Sequence, residues 1–127
     1  MSDIFSFVMV GTNDLDKSSK FYDVILKTIK LKKIDVTERY IGYSHSDTPK
    51  NVIFYVTKPQ NKQPATIGNG TMITFNLGSK EEINNFYKNA LIHGAKDEGS
   101  PGLRSDGNYY AYIRDLDGNK IAVRYKT

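Results

Sequence analysis

Few side chains in this 127-residue chain are equipped for chemistry. There are two histidines, His45 in GYSHSD and His93 beside Gly94, and no cysteine. Histidine titrates near neutral pH and can serve as general base or metal ligand. A polar strand end explains His45 equally well, and a favourable contact with a helix dipole explains His93. The missing cysteines exclude a thiolate nucleophile, a thiolate metal site and disulfides. Arg104, in SPGLR, is a planar fork that can clamp a carboxylate or phosphate, or a solvated loop arginine. Nine tyrosines and no tryptophan offer apolar area with polar tips, suited to flat or mixed ligands. Aromatic residues also simply favour strands. General acid–base work needs a tuned group within hydrogen-bond reach of its target, and no such pair stands out. No catalytic residue is assigned.

The elements that must position these residues come in two similar sets. Ile4–Val10 reads as a strand, and Asn13 or Asp14 can cap a helix with apolar positions Leu15, Phe21, Tyr22, Ile25, Leu26 and Ile29. Strands are expected at Lys33–Thr37, Tyr40–His45 and Val52–Thr57. Lys58–Gly70 is polar, carries Pro59 and Pro64, and reads as a linker. The order then restarts. Thr71–Leu77 is strand-like, Ser79-Lys80-Glu81-Glu82 is a capping box, and Gly94 is placed to end the second helix. EGSPGLRSDGN is expected to be a loop, followed by a strand through Tyr109–Arg114. Asp115–Gly118 makes a tight turn into the last strand, Lys120–Tyr125. A shift of 65 positions superposes Phe21 on Phe86, Tyr22 on Tyr87, Leu26 on Leu91 and Phe7 on Met72.

The expected fold is therefore α+β, with two tandem βαβββ modules. Module 1 covers 1–58, the linker 59–69 and module 2 70–127, within a single domain. Each module would have a sheet with a helix on one face. The other face needs cover, and the simplest partner is the duplicate. The two sheets would form an incompletely closed mixed β-barrel with helices outside and a cavity between them. Strand alternation places Phe7 with Phe5 and Met9, and Met72 with Thr74. If the Asp115–Gly118 turn holds Ile113 and Ile121 on the helix side, Tyr112 and Ala122 face the cavity, followed by Tyr110 and Arg124. The candidate ligand-binding set is Phe7, Met9, Met72, Thr74, Arg104, Tyr110, Tyr112 and Ala122.

The segments VMVGTNDLDKSSKFYDVIL, IGNGT, EGSPGLR and YYAYIRDLDGNKI together resemble the vicinal-oxygen-chelate superfamily. That superfamily includes glyoxalase I, extradiol dioxygenases and bleomycin-resistance proteins. The resemblance implies a divalent metal held by side chains from equivalent places in the two halves. Those places are Phe7, Met72, Ala122 and a position near Val52–Val56. Phe and Ala offer no lone pair, and a Met thioether is soft where these enzymes use harder ions. A shift of one residue brings Val8, Ile73 or Val123, which are no better. No metal and no cofactor are expected.

By this resemblance the expected function is metal-independent binding or sequestering of an unidentified small molecule in the inter-sheet cavity. The alternatives are an enzyme with an atypical or displaced metal site, and an inert dimerisation module. The resemblance also implies a homodimer. A net charge of +4 includes the cluster Lys27, Lys30, Lys32 and Lys33. It reads as a solvated helix end, with no nucleic-acid motif beside it. No apolar run is long enough to span a bilayer and no signal peptide is visible, so no membrane partner and a cytoplasmic location are expected.

Overall fold

Asp14 starts the first helix. Its backbone is extended, and its carboxylate accepts from the Lys17 amide at the head of α1 (Leu15–Lys27). In this computed structural model, residues 4–45 and 51–127 are described. The chain divides into two units, Met1–Thr66 and Ile67–Thr127.

In the first unit, β1 (Val8–Gly11) precedes α1, and β2 (Lys32–Val36), β3 (Tyr40–Ser44) and β4 (Phe54–Thr57) follow it. The sheet order is β1-β4-β3-β2, with β1 parallel to β4 and the other pairs antiparallel. Phe21, Tyr22, Ile25 and Leu26 of α1 are buried, as are Ile41, Tyr43, Phe54 and Val56 of the sheet. Their rings meet: Tyr22 lies 5.1 Å from Phe54, and Tyr43 lies 6.4 Å from it. The Tyr43 hydroxyl donates to Asp23 at 2.8 Å, and Lys33 pairs with the same carboxylate at 3.1 Å.

The second unit repeats this plan. It contains β5 (Ile73–Asn76), α2 (Lys80–Ile92), β6 (Lys96–Leu103), β7 (Tyr109–Arg114) and β8 (Lys120–Tyr125), in the sheet order β5-β8-β7-β6. Ile83, Phe86 and Ala90 of α2 are buried with Ala111, Ile113, Ile121 and Val123 of the sheet. The capping box forms with one change. The Ser79 hydroxyl accepts from the Glu82 amide, but Glu82 reaches back to the Gly78 amide, one residue before the cap. A Cβ on Gly78 would lie 2.8 Å from that carboxylate oxygen, so glycine makes the approach possible.

Both helices close with the same backbone turn. The Leu31 amide donates to Leu26 in one, and the Ala95 amide to Ala90 in the other. The left-handed residue is Lys30 (φ 65°) after α1 and Gly94 (φ 107°) after α2. Gly118 (φ 94°) makes the expected turn into β8, and buried Asp115 accepts from the Asp117 and Asn119 amides there.

Several other strand bounds shift by one or two residues, and two expectations change more. The first strand is Val8–Gly11 rather than Ile4–Val10, because its parallel partner β4 offers only four residues to pair with. The stretch read as a loop from Glu98 instead belongs largely to an edge strand, β6. Its register slips between Asp97 and Gly99 and between Gly99 and Gly102. An edge strand tolerates Pro101 and bulges because one side needs no ladder. No described helix is long and apolar enough to cross a membrane.

Candidate functional site

Each sheet has one face against its helix and one helix-free face, and the pairing register assigns residues to them. In the first unit Met9 pairs with Tyr55, and Tyr55 with Gly42, opposite in sense to the buried Val10, Val56 and Ile41. Phe7 lies edge-on to Tyr55 at 4.8 Å, and Tyr55 edge-on to Tyr40 at 5.3 Å. The Arg39 guanidinium sits 5.2 Å from the Tyr40 ring centre. A Cβ on Gly42 would come within 2.9 Å of the Tyr55 ring, so glycine lets that ring lie down on the sheet. Phe7 (49%) and Met9 (43%) keep substantial exposure. The result is an aromatic row with an apolar, accessible end.

In the second unit Thr74 pairs with Ala122 and Ala122 with Tyr112, while Asn76 pairs with Arg124 and Arg124 with Tyr110. Ile113 pairs with Ile121 on the helix side, the register expected from the turn. Met72 is 43% exposed, whereas Ala122 is fully buried and presents no surface. Thr74 is exposed. Tyr110 and Tyr112 stack at 5.6 Å. Arg104 and Lys120 each place a cation 5.3 Å from the Tyr112 ring centre. Arg104 also donates to the Ser100 carbonyl at 2.6 Å, so its guanidinium ties down the bulged edge strand. The Tyr110 hydroxyl donates to Asp106 at 2.6 Å. That bond lowers the Asp106 carboxyl below its usual range and is the main reason the Tyr110 phenol lies above its own.

The residues do not fit the divalent metal that the resemblance implies. Phe7, Met72 and Ala122 supply no hard donor. Tyr55 is the polar side chain nearest the fourth place. Burial, then the Asp35 charge, then Tyr40 keep its phenol protonated above the ordinary range. Among the described residues, no group of three or more His, Cys, Asp or Glu is placed to hold a metal. His45 is exposed just after β3. His93 caps α2, its Nδ1 2.8 Å from the Asn89 carbonyl, which requires the proton on Nδ1. Among the described residues, neither histidine joins a group of His, Cys, Asp or Glu that could hold a metal.

A groove of about 530 Å³ opens elsewhere in the first unit, lined by Asn13, Glu38, Arg39, Lys58, Lys62 and Pro64 among others. It includes none of the expected ligand-binding residues. The Asn13 side chain holds its loop by pairing with both the amide and the carbonyl of Ala65. Tyr55 and Arg124 are among the residues of the open faces outside the expected set. Alternation flagged Arg124 as a neighbour of Tyr110. Nothing local distinguishes Tyr55 from its buried neighbours Phe54 and Val56; only the pairing of β4 with β1 does.

Comparison with known proteins agrees with this architecture. The chain is 39% identical to a glyoxalase/bleomycin resistance protein from Albidiferax ferrireducens T118, with a TM-score of 0.88, covering 98% of this chain and 100% of that one. A lactoylglutathione lyase from Agrobacterium tumefaciens is 18% identical, with a TM-score of 0.71 and coverage of 98% and 95%, a likeness of fold. A glyoxalase/bleomycin resistance protein/dioxygenase family enzyme from Burkholderia phytofirmans PsJN has 18% identity and a TM-score of 0.72, covering 94% and 96%. No curated protein matches. The family model of the Glyoxalase/Bleomycin resistance protein/Dioxygenase superfamily matches residues 4–123, and the chain belongs to that superfamily.

Proposed function

We propose that this protein binds or sequesters a small molecule on its helix-free sheet faces without using a metal. One observation carries the reading. At three places where the resemblance puts metal ligands, this chain has Phe7, Met72 and Ala122, while Phe7 and Met72 remain about half exposed. Apolar, adaptable surface beside a few polar groups is the usual make-up of a ligand site. The tyrosines on both faces supply flat walls with polar rims. A homodimer is part of the proposal.

The test has two arms. Protein purified without added metal is assayed for bound divalent ions, and its melting temperature is followed with zinc, nickel and manganese. The expected result is a content well below one ion per chain and no shift. A stoichiometric ion overturns the metal-free reading. Planar aromatics, antibiotics and short-chain acids are then screened by thermal shift, where a binder raises stability by RT ln(1 + [L]/Kd). Phe7→Asp and Met72→Asp should abolish such shifts. Sedimentation equilibrium reports the dimer.

A further inference from the structure

We infer that the open face of the second sheet takes a small organic acid, with its carboxylate paired to Arg124. This rests on the small-molecule reading above and names the class of ligand.

Several cationic side chains stand on or beside this face, and three of them are engaged. Arg114 pairs with Glu98 at 2.7 Å and donates to the Gly118 carbonyl. Lys120 sits over the Tyr112 ring. Arg104 sits over the same ring and donates to the Ser100 carbonyl. Arg124 differs. Its Nε is buried and has no hydrogen-bond partner among the described residues. A buried donor left without an acceptor is destabilising, and more so when charged. Arg124 as a whole is only half-buried, so its side chain is within reach of an acceptor arriving at the open face.

Asp106, an acid that feels the Arg124 charge, does not fill that role. One Asp106 oxygen accepts from the Tyr110 hydroxyl and the other from the Asn108 amide. Asp106 feels the Arg124 charge but forms no ion pair with it among the described residues. The register places Asn76 on one side of Arg124 and Tyr110 on the other. Asn76 adds an amide with a donor and an acceptor. The Tyr110–Tyr112 stack adds an aromatic wall. A guanidinium fork matches a carboxylate geometrically. A neutral carbonyl can accept one hydrogen bond but lacks the charge and the second parallel acceptor that a carboxylate offers.

The experiment titrates the full ¹⁵N-labelled chain with sodium benzoate and, separately, with benzamide, at equal ionic strength. Benzoate is expected to move the Arg124 Nε–Hε resonance and to bind at least about tenfold more tightly than benzamide. Arg124→Met should bring benzoate down to the benzamide affinity and leave benzamide unchanged. If both probes bind this face equally, small-molecule binding stands and the acid assignment falls. A benzoate preference that survives in Arg124→Met also overturns the assignment. If neither probe moves a resonance of Tyr110, Tyr112 or Arg124, the assignment falls together with the binding reading for this face. Should the variant fail to fold, the Nε–Hε response of the unmodified protein decides alone.

Discussion

Tyr110 and Tyr112, two residues apart on β7, lie with their rings nearly parallel, 5.6 Å between centres and 6° between planes. Alternate residues of a strand project from the same face, so the pair forms a continuous wall on the helix-free side of the second sheet. Tyr112 is its hub. It carries Arg104 and Lys120 over its ring, and a Cβ on Gly99 would lie 2.7 Å from it.

Removing the hub should loosen the edge strand. Tyr112→Ala is expected to destabilise the protein by about 1–3 kcal/mol, from lost ring area, stacking and cation–ring contacts. Arg104→Ala should cost less in the Tyr112→Ala background than in the unmodified protein. Urea unfolding of the four proteins in this cycle measures the coupling, and full additivity would show that the two side chains do not support each other.

Lys30 occupies the left-handed position that Gly94 fills in the duplicate. A side chain there crowds the following carbonyl. Lys30 is exposed and its amide bonds only to the Lys27 carbonyl, a bond glycine keeps. Lys30→Gly should therefore stabilise the protein by about 0.5–1 kcal/mol, the strain relief outweighing the entropy of an extra glycine. A lower urea midpoint would contradict this.

Tyr43 sets an alkaline limit. Its phenol is pushed well above the ordinary range, first by burial and then by its hydrogen bond to Asp23. In the unfolded chain tyrosine ionises near pH 10, about its reference value. The native preference for the neutral form therefore contributes fully below about pH 10 and is lost as pH rises beyond it. Tyr43→Phe should cost about 1–2 kcal/mol at pH 7, where the hydrogen bonds are lost. Above about pH 10 its stability should fall less steeply than that of the unmodified protein. Urea midpoints at pH 7 and about pH 10.5 test both signs; parallel curves would exclude Tyr43 as a source of the alkaline loss.

Much of the second unit was legible locally. Ser79, Glu82, Gly94 and Gly118 act through hydrogen bonds and backbone angles spanning a few residues. The short Asp115–Gly118 turn also constrained which residues of β7 and β8 face each other, so the Tyr112–Ala122 pairing followed from its length. The glycine-rich edge strand was not legible. Gly99, Pro101 and Gly102 carry loop propensities, and only the ladder to β7 makes them a strand.

The sequence by itself determined the duplication, the two capped helices and the apolar side chains at the places where the family's metal ligands are expected, because each depends on residue type or on neighbours along the chain. Tertiary structure decided the rest. It placed Tyr55 between Phe7 and Tyr40 by a parallel pairing across more than forty residues. It occupied Arg104 and left the Arg124 Nε buried without a partner among the described residues. A side chain's free hydrogen-bonding capacity depends on which distant residues pack around it, and that becomes defined only once the strands have paired.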